Sequence, residues 1–212
     1  MRRFSAKCII LGHKDLSEND KFVFLYNEEM GKIKAVAKGA RKITSKFTGH
    51  LETLNICTAE FYISPRNILI TEISTDENFR NVRENLETLS GALQIAEITD
   101  KLLYENQKLE NLIKLIQKTI SHLSKTKKPL LISMAYMIKL LDKIGIIPDF
   151  KAIENEFNLE QKYRKFFEYL KTKTLTEIEK IHLTKEETSN IKNFLNRIIE
   201  EETGKTFKSF LI

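Results

Sequence analysis

Residues Gly31–Lys46 read GKIKAVAKGARKITSK, and the phase of their first half decides the kind of fold. Ile33, Ala35 and Ala37 fall on one face of an extended chain, whereas Lys32, Lys34 and Lys38 share the opposite face with Val36. A period of two with one apolar side predicts a half-buried β-strand whose lysines point to solvent together. Gly39 then lets the chain leave the strand, and Ala40, Arg41, Lys42, Thr44, Ser45 and Lys46 follow, with hydroxyls and backbone amides that can donate to phosphate oxygens. Lys32, Lys34, Lys38, Arg41, Lys42 and Lys46 are six cations in a stretch with no acidic residue. The 212-residue chain has 35 Lys plus Arg against 29 Asp plus Glu, so this one stretch holds the whole formal excess of +6. Concentrated charge sets up a field that attracts a polyanion, whereas evenly mixed charge mainly confers solubility; an ordinary solvated face is the other use of such residues.

Outward from this strand, Phe4–Ile10, Lys21–Tyr26, Leu54–Ile63 and Ile68–Ile73 are four more runs rich in β-branched and aromatic residues. Asn27-Glu28-Glu29-Met30-Gly31 is short enough for a hairpin loop, and Ser64-Pro65-Arg66-Asn67 is a second tight turn. Five strands in residues 1–75, one pair carrying cations, predict a nucleic-acid-binding domain built as an OB-type β-barrel in place of a two-sheet sandwich. Phe22, Phe24 and Tyr26 share one face of the second run. Small barrels need large inward side chains, so these rings are assigned to the barrel core, with Val23 and Leu25 outside; stacking on bases is the alternative. Arg2, Arg3 and Lys7 could extend the basic patch.

From residue 76 to 212 the period changes to that of helices. Ser74, Thr75 or Asp76 can cap a first helix carrying Phe79, Val82, Leu86, Leu89, Leu93, Ala96 and Leu103; Leu109, Leu112, Ile113, Ile116, Ile120 and Leu123 mark a second. Pro129 opens a segment that is apolar on most sides and stops at Gly145, which predicts the central helix of a bundle. An aromatic-rich stretch from Ala152 to Leu170 and a last helix around Ile191, Phe194, Leu195 and Ile198 complete an α+β chain. No low-complexity linker separates the halves, so they are expected to pack directly.

Catalytic chemistry finds no footing. His13, His50, His122 and His182 are isolated from one another, and Gly204-Lys205-Thr206 lacks the glycine that a phosphate-binding loop needs five positions earlier. The expected set of catalytic, metal and cofactor groups is therefore empty, with no small-molecule substrate. Two cysteines, Cys8 and Cys57, are too few for a disulfide framework or a four-ligand zinc site. With no apolar run near the ~20 residues that span a bilayer, the expectation is a cytoplasmic protein with two buried thiols and no membrane partner.

Taken together, Ser17-Glu18-Asn19-Asp20-Lys21 before an apolar strand, Gly31-Lys32-Ile33 running into Ala37-Lys38-Gly39-Ala40-Arg41-Lys42 with Ser45 beyond, and the ending Gly204-Lys205-Thr206-Phe207-Lys208-Ser209-Phe210 resemble the DNA repair protein RecO family. The resemblance implies a recombination mediator, not an enzyme. It implies binding of single- and double-stranded DNA, annealing of complementary strands, association with RecR and with the acidic C-terminal tail of single-stranded DNA-binding protein, and help in loading RecA. It places the family's DNA-contacting strand on Lys32, Lys34, Lys38, Arg41 and Lys42. Many members carry a four-cysteine zinc site after the segment matching Gly145 to Pro148, and this chain has no cysteine beyond Cys57. An OB-fold RNA-binding protein, or a helical adaptor for a partner peptide, is the alternative class; for RecR or the acidic tail, a groove lined by the apolar helices and fringed by Lys125, Lys127 and Lys128 is the suggested seat.

Overall fold

The computed structural model describes residues 2–146 and 161–204. The predicted exit at Pro148, the aromatic stretch before residue 161 and the final pattern after Gly204 lie outside the described residues. Five strands, β1 (Arg2–Asp15), β2 (Lys21–Asn27), β3 (Gly31–Ala37), β4 (Ile56–Ile63) and β5 (Ile68–Glu77), close into a barrel in the order β1-β2-β3-β5-β4. All neighbours are antiparallel except β3 and β5, which close the barrel in parallel through Ala35↔Ile68 and Val36↔Leu69. Register irregularities at Ile10/Gly12 in β1 and at Ile56/Cys57 and Glu60/Phe61 in β4 supply the bending that closure requires. The chain is thus α+β, with an OB-type barrel followed by helices, and the β2–β3 hairpin turns at Gly31 with φ 78°.

The barrel interior corrects the reading of the second strand. Val23 and Leu25 are both 0% exposed inside the barrel, with Cys8, Ile10, Phe61 and Ile70 around them, and Phe47 and Leu51 pack there from the β3–β4 connection. Register explains why. Residues paired across neighbouring strands point the same way, and β2 pairs Val23↔Ala35 and Leu25↔Ile33, so once Ile33 and Ala35 face inward, Val23 and Leu25 must follow. Phe22, Phe24 and Tyr26 accordingly lie outside. Cys8 and Cys57 are free, buried and paired across β1 and β4.

The predicted cap at Ser74–Asp76 is also overturned: these residues stay in β5, with Thr58↔Ser74 and Cys57↔Thr75 paired to β4. A short α1 (Arg80–Arg83) precedes α2 (Leu86–Leu102), whose start is capped by Asn85 accepting from the backbone of Glu87 and Thr88. Leu86 and Leu93 are exposed, whereas Ala96 is buried as expected, and α2 also buries Ala92, Ile95, Ile98 and Leu102. Next come α3 (Leu112–Leu123) and α4 (Pro129–Ile144), which starts at Pro129, ends at Gly145 and buries ten of its residues between Leu131 and Leu141. Helices α5 (Gln161–Thr172), α6 (Leu175–Ile178) and α7 (Lys185–Thr203) follow, and α2, α3, α5 and α6 all pack on α4, which makes it the centre of the bundle. Ile9, Leu11, Tyr26, Leu54 and Ile56, from the outside of the barrel and its β3–β4 connection, belong to the same apolar core as these helices. No helix of the described residues is long and apolar enough to cross a membrane.

Candidate nucleic-acid interface

The lysines of β3 do not share one fate. Lys34 and Lys38 are exposed, as the strand period predicts. Lys32 is not: its ammonium lies 2.9 Å from Asp100 Oδ1, donates to the backbone oxygens of Asp100 and Leu103, and its side chain is only 13% exposed. The outer face of β3 runs under the 100–109 segment at its Gly31 end and emerges into solvent at its Lys34 end, so the expectation that all the lysines face solvent fails at Lys32. The same joint is closed by Tyr26, whose hydroxyl donates to Leu109 O (2.7 Å) and accepts from Leu109 N (2.8 Å), and by Asn106 N donating to Lys32 O. Burial pushes the Tyr26 phenol above its ordinary range.

Past Ala37 the chain enters a braced loop. Gly39, with φ 72°, donates its N–H to Asp20 Oδ1 at 2.8 Å. Arg41 donates its backbone N–H to Asn19 O and its guanidinium to Ser17 O at 2.7 Å, and lies 3.2 Å from Asp15. The β1–β2 turn at Ser17–Asp20 therefore fixes the basic loop from behind, a role that residue-type counting within Gly31–Lys46 could not reveal. Lys34, Lys38, Lys42 and Lys46 have no ion pair among the described residues.

Beside these cations stand the aromatic rings that the register turned outward. Lys34 Nζ is 4.9 Å from the Phe22 ring centroid, and Lys14 Nζ is 5.9 Å from that of Phe24, with Phe24 paired directly to Lys34 across β2 and β3. Both rings are half-buried. The pairings Lys14↔Phe22, Phe22↔Val36, Val36↔Leu69, Leu69↔Tyr62 and Tyr62↔Arg3 trace one band round the outside of the barrel. The band leaves β1 at Lys14 and comes back to it at Arg3, toward the other end of the strand; the Arg3 guanidinium is 5.8 Å from the Tyr62 ring, and that of Arg2 is 6.0 Å from the Phe4 ring. Lys7 is exposed on β1. Such a surface, cations flanking half-buried rings, can neutralise phosphates and offer ring faces to bases at once.

The other candidates separate. His50 bonds Thr75 and His122 bonds Glu179, and among the described residues no three His, Cys, Asp or Glu side chains come together as metal ligands. Burial raises both thiols, that of Cys57 to about 11, and the chain's only two cysteines sit in the barrel core, so its residues do not fit a four-cysteine zinc site. In the helical half, Lys127 and His182 rim a cleft of about 530 Å³ whose walls include Leu130, Leu131, Met134 and Leu183. Lys128 is engaged instead, donating to Glu179 O and Ile181 O, and Lys125 lies in a separate shallow site with Lys114 and Lys118. Of the suggested fringe, Lys127 and the engaged Lys128 line the cleft, together with Glu87, and Lys125 does not.

Comparison with known proteins agrees with this architecture. Residues 1–73 match the family described as Recombination protein O N terminal, and residues 83–153 match Recombination protein O C terminal. The chain is 32% identical over 151 residues to a DNA repair protein RecO of Acetivibrio thermocellus, covering 70% of this chain and 59% of that protein. It is 29% identical over 149 residues to one of Thermoanaerobacter sp., with 70% and 60% covered, and 30% identical over 151 residues to one of Clostridium novyi, with 70% and 58% covered. It thus spans about three fifths of the length of these relatives. With nearly all of the barrel under one match, α2 to α4 under the other, and both in the same order, the chain belongs to the RecO family.

Proposed function

We propose that the chain is a non-enzymatic DNA-binding protein of cytoplasmic DNA repair and recombination. It binds single- and double-stranded DNA, anneals complementary strands, and with RecR assists loading of RecA on strands coated by single-stranded DNA-binding protein. The observation that carries the reading is the outer surface of β2–β3 and its loop, where Lys34, Lys38, Lys42 and Lys46 lack acidic partners among the described residues and Lys34 stands over Phe22 and opposite Phe24. Arg41, Arg2 and Arg3 extend this surface, and Lys32, which is engaged with Asp100, serves the joint between the halves.

The mechanism is electrostatic. Cations on a rigid loop neutralise phosphates, which lowers the repulsion between two strands and leaves base pairing to select the partner. Stacking of a base on Phe22 or Phe24 adds about 1–3 kcal/mol per base without sequence preference. The cleft between α2, α4 and Leu183 supports a second role, as the seat of the acidic tail of single-stranded DNA-binding protein: an apolar floor takes apolar side chains, and Lys127 meets carboxylates at the rim.

Replacement of Lys34, Lys38, Arg41 and Lys42 by alanine tests the DNA surface. The variant is expected to fold, to lose annealing, and to flatten the dependence of log affinity on log salt from roughly −3 to −4 for a single strand toward zero. Unchanged binding and annealing in the folded variant would refute the assignment.

A further inference from the structure

The tip of the basic loop carries an apolar side chain with no folding role. Ile43 is 101% exposed, while the loop around it is not loose: Lys42 N donates to Gly39 O, Ser45 N to Lys42 O, Thr48 N to Ser45 O, and Phe47 is buried in the barrel. Burying an isoleucine contributes about 1.5–3 kcal/mol, and this one contributes none of that to the folded chain. Its sequence neighbours within three positions include Arg41, Lys42 and Lys46, so any partner that covers it must be polyanionic and must also offer apolar surface. A nucleic-acid strand offers both, charge in its phosphates and apolar surface in its base faces. Ile43 also lines a cleft of about 450 Å³ with Lys21, Lys42, Phe47, Asp15 and Glu52, roomy enough for one base, where carboxylates can accept from an exocyclic amine.

We propose that Ile43 is a wedge that enters between neighbouring bases of a bound DNA strand, the base so displaced being held in the adjoining cleft. The inference rests on the DNA-binding reading above and adds a deformation of the strand to it. A preorganised apolar side chain between flanking cations can offset the cost of unstacking, a few kcal/mol per step, because the cations hold the backbone on both sides of the insertion.

The test uses the full chain and a single-stranded oligonucleotide with one 2-aminopurine between purines, a probe whose fluorescence is quenched by stacking. Anisotropy of an end label reports binding separately. The intact protein is expected to bind and to raise 2-aminopurine fluorescence severalfold. Ile43→Ser should keep the same melting behaviour and salt slope, with affinity within about tenfold, yet lose the fluorescence rise, and Ile43→Leu should restore it. Binding by the intact protein without a rise, or an equal rise with Ile43→Ser, overturns the wedge while leaving the DNA-binding reading intact. Absence of any anisotropy change would overturn both.

Discussion

Lys32 and Lys34 stand two residues apart on one face of β3, and nothing in their local sequence distinguishes them. The difference is Asp100, 68 positions from Lys32, which no strand period can reveal. Lys32→Ala removes one partner of a half-buried pair and two hydrogen bonds to backbone oxygens, and should lower stability by about 1–3 kcal/mol with little change in the salt slope of DNA binding. Lys34→Ala should do the reverse, leaving stability within about 0.5 kcal/mol and reducing the slope by about one. Denaturant unfolding and titrations at several salt concentrations separate the two, and equal stability losses would sink the distinction. The charge of the basic stretch was therefore legible in the sequence, but which cations are free was not, because that depends on a contact with the other half of the molecule.

At the scale of elements, the same limit shows as a sign. Alternation in β2 divided its residues correctly into two faces; register with β3 decided which face is inside, and a pattern of Phe, Val, Phe, Leu and Tyr is apolar on both. By contrast, Pro129 and Gly145 bounded α4 to the residue, because each acts through its own backbone: Pro by lacking an N–H that the first turn does not need, Gly145 by adopting φ 75°. Glycines of the hairpin and loop give a paired prediction. A Cβ on Gly31 would lie 2.3 Å from Gln107 O and 2.8 Å from Asn106 C, whereas one on Gly39 meets only the Lys42 side chain at 3.7 Å. Both have positive φ, so Gly39→Ala should cost about 1 kcal/mol, and Gly31→Ala distinctly more because backbone must also move. Comparable melting temperatures for the two variants would contradict this. The turn after α6 responds to pH. Glu179 is held below its ordinary value of 4.5, first by the hydroxyl of Thr126 and then by His122, 3.1 Å away. A lowered folded pKa means that its contribution is present above pH 4.5 and fades as pH falls through the depressed value. Protection of the amides of residues 179–183, taken relative to the intrinsic exchange rate at each pH, should therefore fall on acidification in that window, and Glu179→Gln should remove much of the fall.

On the scale of the whole molecule, the sequence divides where its period changes, yet the core does not divide there. The barrel has an interior of its own, while its outer face contributes Ile9, Leu11, Tyr26 and Ile56, with Leu54 from the loop before β4, to the cluster organised by α4. Composition could predict direct packing from the missing linker, but it could not show that one side of the barrel is built as core for the helices. At about 1.5–3 kcal/mol for each fully buried side chain, five such residues represent roughly 8–15 kcal/mol, the size of a whole domain's net stability. Arg83 adds polar ties across the same joint, donating to Thr53 O at 2.8 Å and Asn55 Oδ1 at 3.1 Å. The full chain should therefore lose its strands and helices in one cooperative transition, with circular dichroism and intrinsic tyrosine fluorescence giving coincident curves. A fragment of residues 1–78, which keeps every barrel strand but strips the helices from that apolar face, should associate or remain partly unfolded. Replacing Ile9, Leu11 and Ile56 in the fragment with threonine or lysine should improve its solubility, because these side chains lie outside the barrel's own interior. An unsubstituted fragment that is monomeric and melts at the temperature of the intact chain would show that the helices add nothing to the barrel, and would overturn the shared core.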